Sequence, residues 1–389
     1  MFRTISGNLR KARFNRHEAA GALGDLGLFL PLLTAMSVQN GLDFSAALFF
    51  AGLFNLLTGC LFAIPMAVQP MKAIAAVALT EGLNAREIVA AGIAVSAVVL
   101  LLGLTGLIDG LMRAIPRPVI RGLQLSVGLT LMVKGLELVV RSRDWFGWDS
   151  FAVAALAALL MLLLHERKFP AGLLFFAAGV VLALLKFPAL AASLHLGITL
   201  PHWQLPQAAD FMRAVPRAAL PQLPLTLLNS VIAVTALAAD LFPHERTTAR
   251  SVAISVGLMN LVGGCFGAMP MCHGAGGLAG QYRFGARTNG SILLLGAAKL
   301  LAAALFGASL IALCQAFPLS LLGVMLLFSG LELALVARDQ NGREAAFIML
   351  VTTGVSLGLN IALGALAGLL AAGLLRITGE DAPTAPASA

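Results

Sequence analysis

Lys72 stands where a charge is costly. It follows Gln69-Pro70-Met71 at the start of an apolar run, residues 70–80, that is too short to cross a bilayer alone. A second short run, residues 274–284, follows His273 and opens on Gly274-Ala275-Gly276-Gly277, which overlays Gln69-Pro70-Met71-Lys72 at an offset of 205. Proline suits the first turn of a helix, and glycine lets a backbone come close to a ligand. A helix start carries free N–H groups and a partial positive charge. Two such starts facing each other, with an ammonium group beside them, make an anion site. The expected ligands are Gln69, Met71, Lys72 and Ala73 from the first start and His273, Gly274, Ala275, Gly276, Gly277 and Gln281 from the second. Asn229 and Ser230, inside another apolar run, complete the set and are overlaid at the same offset by Gly24-Asp25. Asp25 and Glu332 are the candidates to carry a coupling proton.

Each of these residues also has a plainer reading. Glycines spaced along a membrane helix allow tight packing, and a lysine near a membrane edge snorkels to water. Asp25 can be a structural carboxyl, Asn229 and Ser230 can bond between helices, and His273 can be a packed, satisfied core histidine. Glu332 and Glu137 recur at matching places, which suits a structural role. Lys134 and Lys299 read as snorkelling or paired, with Glu137 the partner within reach of Lys134.

The elements that would position these residues are membrane helices. Hydrophobic residues make up 59% of the chain and charged residues 11%, less than half the charge of a soluble domain. Apolar runs long enough to span a bilayer recur throughout. They are continuous rather than alternating, so helices are expected and a barrel is not. Residues 52–66 and 257–271 share nine of fifteen positions, including Asn55/Asn260, Cys60/Cys265 and Pro65/Pro270, so the chain reads as two related halves. Spans are expected at 18–38, 43–63, 70–80, 86–110, 117–139, 150–165 and 169–187, then at 219–241, 247–267, 274–284, 288–314, 318–337, 344–357 and 359–376. Seven per half forces the second half to enter the membrane upside down, as an inverted repeat with Gly/Pro-interrupted segments at its site. Alternating from an inside N-terminus places 17 Lys and Arg inside and 6 outside, in accord with the positive-inside rule.

The expected organisation is a cytoplasmic basic tail over 1–17, a first repeat over 18–187, an extracytoplasmic connector over 188–217, a second repeat over 218–376 and a cytoplasmic disordered tail over 377–389. The fold class is all-α polytopic membrane protein, with short half-helices third and tenth, each preceded by an extended segment. The basic N-terminal stretch lacks the pattern of a cleavable signal. Cys60, Cys265, Cys272 and Cys314 read as small buried hydrophobes rather than a disulfide framework. No GxxxxGK[ST] loop occurs, and Cys272-His273 lacks the further spaced ligands of a metal site. No cofactor, metal or nucleic-acid partner is expected, and the basic pI of 9.9 is a topology signal.

Three blocks carry a family resemblance: QPMKAIAA (69–76), PQLPLTLLNSVIAV (221–234) with ADLFP (239–243), and FGAMPMCHGAGGLAGQYRFGARTNGS (266–291). They resemble the signature segments of the molybdate transporter family related to the SulP sulfate permeases. The resemblance implies the seven-plus-seven fold shared with uracil/xanthine permeases and bicarbonate transporters. It implies a core domain of spans 1–4 and 8–11 that carries substrate against a gate domain of spans 5–7 and 12–14. It also implies a tetrahedral oxyanion substrate, molybdate first and sulfate second. The chain departs from the sulfate permeases in ending without a STAS domain, as the molybdate branch does. The expected activity is therefore proton-coupled molybdate import, not enzymology. Sulfate or general oxyanion transport is the alternative, and an anion channel is the alternative of another class. A nucleobase permease shares the fold, but Lys72 and the two helix starts favour an anion. The expected partners are the oxyanion, protons and the lipid bilayer, with a homodimer through the gate domains. The expected location is a bacterial inner (cell) membrane.

Overall fold

The computed structural model of the chain describes residues 2–141, 143–163, 171–197 and 200–380. The chain is almost wholly helical. The first half holds α1 (Phe2–Lys11), α2 (Arg16–Ala22), α3 (Leu26–Asn40), α4 (Phe44–Leu61), β1 (Gln69–Pro70), α5 (Lys72–Glu81), α6 (Ala85–Thr105), α7 (Leu107–Ala114), α8 (Arg117–Val140), α9 (Phe151–Leu163) and α10 (Ala171–Lys186). After α11 (Leu190–Ser193) come α12 (Ala208–Ala214), α13 (Leu220–Leu225), α14 (Val234–Leu241), α15 (Ala249–Gly264), β2 (Met271–Cys272), α16 (Ala275–Arg283), α17 (Gly290–Phe306), α18 (Leu310–Ala316), α19 (Leu319–Leu335), α20 (Arg343–Gly358) and α21 (Ile361–Glu380). Among the described residues six helices are long and apolar enough to cross a membrane, or seven if α2 and α3, bent by 42°, count as one.

Local sequence explains the ends. Asn84 and Glu87 close a capping box at the start of α6, and Asp43 accepts from Ala46 N–H at the start of α4. Gly41 and Gly82 end α3 and α5 in the left-handed conformation, where a Cβ would be strained. One boundary departs from expectation. The helix expected from residue 219 begins at Ala208, where Asp210 accepts from Gln207 N–H at 2.7 Å. Pro216, Pro221 and Pro224 lie within it, yet the helix continues because wide π-helical turns over Val215–Ala219 and Thr226–Ala233 absorb the lost hydrogen bonds.

The expected tails also differ. Residues 2–11 form α1, and Asn8 donates to the carbonyls of Cys60 and Leu61 at the end of α4. Residues 377–380 extend α21, whereas 381–389, like 164–170 with Arg167 and Lys168, lie outside the described residues.

The two halves interlock. α4 packs on α17, α6 on α15 and α8 on α19. Lipid is as apolar as leucine, so burial alone does not drive such pairs; close approach through small residues does. A Cβ on Gly52 would lie 2.8 Å from Gly296 O, and one on Gly128 would lie 2.8 Å from Gly330 O. Gly135 meets Gly323 in the same way, so residue numbers rise along α8 as they fall along α19. Gly59 meets Leu293, and Gly103 and Gly264 meet Ile254 and Ile93, so the other two pairs also run antiparallel. The main apolar core, including Met66, Val68, Met71, Ile74, Val231, Met271 and Leu278, is gathered around the two strands.

At one end of the bundle, buried Arg121 of α8 is held by Asp240 of α14 and by Asp339 beyond α19. Its Nη1 also donates to Gln124, whose Nε2 donates to Ala233 O at 3.0 Å.

A candidate anion site at two helix starts

After the Pro-Met of each half the chain is extended, and β1 pairs antiparallel with β2, Gln69 opposite Cys272 and Pro70 opposite Met271. Met71 N–H donates to Pro270 O at 2.9 Å, which continues the ladder. Unpaired backbone at this depth would be costly, and here each strand satisfies the other. Asn260 braces the pair from α15. Its Nδ2 donates to Met271 O and its Oδ1 accepts from Met271 N–H, both at 2.6 Å. His273 also ties the strands to α15, with Nδ1 2.9 Å from Ala67 O and Nε2 2.9 Å from Ser255 Oγ. A carbonyl only accepts, so Nδ1 carries a hydrogen. Fully buried, with both ring nitrogens engaged and Phe62 packed edge-on, His273 takes the packed role rather than the ligand role.

α5 and α16 begin directly beyond the strands, and they are not equivalent. The start of α5 is already covered. Gln222 Oε1 accepts from Ala73 N–H at 2.8 Å and from Ile74 N–H at 3.3 Å. With Met71 N–H spent on Pro270, the backbone expected to bind at Met71 and Ala73 is occupied by the protein itself. The start of α16, from its N-cap Gly274, has no side-chain cap. Gln69 lies across it: a Cβ at Gly274 would collide with Gln69 Oε1, and one at Gly277 would lie 2.7 Å from Gln69 Nε2. These two glycines are required by that approach. Gln69 Nε2 donates to Asp25 Oδ1 at the break between α2 and α3, while Gln69 Oε1 is buried without a hydrogen-bond partner among the described residues. Asn229 Oδ1, in the wide turns before α14, is in the same condition. Next to it Ser230 Oγ donates to Cys272 Sγ at 3.1 Å, so the third segment reaches the end of β2.

The strands therefore bring Gln69, Lys72, Asn229, Ser230 and the start of α16 into one cluster. A family model described as "Molybdate transporter of MFS superfamily" matches residues 17–131 and 214–333, more than half of the chain. The chain belongs to this molybdate transporter family. Molybdate transporter 2 of Arabidopsis thaliana is 42% identical over 410 residues, covering 94% of this chain and 88% of that one. Molybdate transporter 1 of Chlamydomonas reinhardtii is 35% identical, covering 97% and 94%. The family is one of transporters, not enzymes, and its members named here are plant and algal.

Among solved structures, the transmembrane domain of a cyanobacterium bicarbonate transporter, BicA, aligns with a TM-score of 0.57 at 19% identity over 92% of this chain and 96% of that one. The murine anion transporter Slc26a9 in its inward-facing state aligns at 0.60 and 14%, over 96% and 71%. At these identities the likeness is of fold alone, that of a mostly helical membrane protein. The chain is an integral membrane protein of that architecture.

The two matched segments of the family model contain every residue of the cluster. Lys72 is half-buried at the first position of α5 and makes no hydrogen bond or ion pair with the described residues. Asp25 and Cys272 are the groups that act on it electrostatically. Asp25 feels Lys299 as well, so one buried carboxyl serves two lysines. Lys299 does not snorkel. It is 7% exposed, lies 3.6 Å from the Phe29 ring centroid and donates to Asn55 Oδ1 at 3.2 Å. Lys134, by contrast, pairs with Glu137 at 2.9 Å on an exposed face, as expected.

Two expected residues fall away from the cluster. Gln281 is six residues beyond Ala275, about 9 Å along the helix axis. It accepts from Ser291 Oγ at 3.2 Å. Glu332 of α19 interacts electrostatically with Arg283, at the opposite end of α16 from its start. Sequence reasoning missed Gln222 and Lys299. Gln222 falls inside the span expected at 219–241, and the one available signal was an amide in an otherwise apolar run.

Proposed function

We propose that this chain is a secondary active transporter that imports molybdate as a tetrahedral dianion. The observation that carries the reading is the start of α16, whose N–H groups take no side-chain cap, with the Lys72 ammonium in the same cluster. Backbone N–H groups at Ala275, Gly276 and Gly277 and the Lys72 ammonium would hold the oxyanion, with the amide N–H groups of Gln69 and Asn229 and the Ser230 hydroxyl as further donors once they turn from their present partners. Charge-assisted hydrogen bonds to a dianion are about twice as strong as neutral ones. The family's named members support molybdate as the cargo.

The proposed architecture is fourteen spans in a seven-plus-seven inverted repeat. Its support is the antiparallel pairing of α4 with α17, α6 with α15, α8 with α19 and β1 with β2, each joining one half to the other. A core domain of spans 1–4 and 8–11 would carry the site past a gate domain of spans 5–7 and 12–14, with both termini cytoplasmic. A homodimer through the gate domains is the assembly this reading expects. Asp25 would carry the coupling proton, because a proton there changes the hydrogen bond that fixes Gln69 over the α16 start.

The test is molybdate titration of purified protein at pH 6 and pH 8, with sulfate as competitor and Lys72→Ala beside wild type. Expected are saturable binding that is tighter at pH 6, and a loss of at least about tenfold in Lys72→Ala, the scale of one hydrogen bond to a charged group. Equal displacement by sulfate would make this a general oxyanion carrier. Binding of neither anion would sink the reading.

A further inference from the structure

We propose that Gln222 is a competing intramolecular ligand of the anion site. Its amide oxygen holds the two N–H groups at the start of α5 that an oxyanion would otherwise take, and its release sets the affinity of the site. The inference rests on the anion-site reading above.

The geometry carries it in three steps. Gln222 is fully buried, its Oε1 accepts from both Ala73 and Ile74, and its Nε2 donates to Thr226 Oγ1 at 2.9 Å. The facing start of α16 is approached closely by the amide of Gln69, a residue 1% exposed, but Gln69 Oε1 accepts no hydrogen bond among the described residues, so the N–H groups of that start stay free. At the α5 start alone, a neutral oxygen thus sits where an oxyanion oxygen would, bonded to two N–H groups. A dianion offers the same geometry with more charge, so it outcompetes the amide at these donors. Finally, Gln222 lies between Pro221 and Pro224 and is tied to Thr226, the first residue of the wide turns that hold Asn229 and Ser230. The residue that leaves α5 and the residues that would receive the anion share one irregular segment. Such π-turns mark functional positions in many helices.

The experiment compares Gln222→Ala, Gln222→Asn and Gln222→Glu with wild type in the purified full-length protein, by molybdate titration and thermal unfolding. Alanine removes the competitor, and the shorter Asn cannot reach both N–H groups. Each is expected to tighten molybdate binding roughly two- to tenfold, the scale of one net hydrogen bond. Glu still reaches the N–H groups and places a negative charge beside the dianion, so it is expected to weaken binding at least about tenfold without loss of thermal stability. A fixed structural cap would behave differently: Ala and Asn would lower the unfolding temperature and leave binding unchanged or weaker. That result, with Lys72→Ala still weakening binding in the wild-type background, overturns the Gln222 inference and leaves the site reading standing. A wild-type protein that binds neither molybdate nor sulfate overturns both.

Discussion

Asn55 and Asn260 occupy the same place in the repeated sentence and do different work. Asn260 closes two hydrogen bonds on Met271 and so fixes β2, whereas Asn55 turns to Lys299 on α17. The repeat made both residues conspicuous, but nothing in their spacing separates their roles, because the partner of each comes from another helix. Asn260→Ala would leave a buried N–H and a buried carbonyl unpaired at about 1–3 kcal/mol each. It is expected to lower the unfolding temperature in detergent and to cost molybdate affinity, since Ser230 and the α16 start are both referenced to β2. Unfolding scans and titration check this directly; a variant as stable as wild type would mean that β2 is held by the ladder alone. The glycines at 274 and 277 were legible because only an approach as close as that of Gln69 demands them. Gln222 was not, because its meaning lies in the distance to Ala73, on an element 149 residues away in the chain.

At the scale of elements, glycine contacts decide how near two helices come. A Cβ on Gly135 would lie 2.5 Å from Gly323 O and 2.7 Å from Leu327 N, both backbone atoms of α19 that cannot rotate away. Gly135→Leu is therefore expected to push α8 from α19 and cost about 1–3 kcal/mol or more, the range for overpacked sites. Gly110→Ala, where open space surrounds the added carbon, should be neutral in the same scan. Helix positions were largely readable from apolar runs and caps. Their limits were less so: Pro216 falls in the expected connector, and only the wide turns of the folded helix show how the backbone keeps going past it. The break at residues 23–25, which sets Asp25 against Gln69, carries no proline, and its one local signal is the Gly24-Asp25 pair inside an apolar run.

The whole molecule adds a constraint of charge. Carrying a dianion into a negative interior costs about 2.3 kcal/mol per charge per 100 mV, and the proposed symport would cancel that cost with two protons for each molybdate. In proteoliposomes the expected result is uptake that an inside-negative potential does not slow, with net current zero or inward positive. A net inward movement of negative charge would rule out this stoichiometry. The pairing of β1 with β2 has a last consequence, in biosynthesis. Gln69 emerges from the ribosome about 200 residues before Cys272, its partner. At roughly 5–20 residues per second, the first half waits on the order of 10–40 s with its strand unpaired. Throughout that interval the nascent chain holds bare peptide groups at a depth where lipid offers them no hydrogen bond. The insertion machinery must shelter them, and a ribosome that stalls before residue 271 leaves a half-protein for the quality-control proteases.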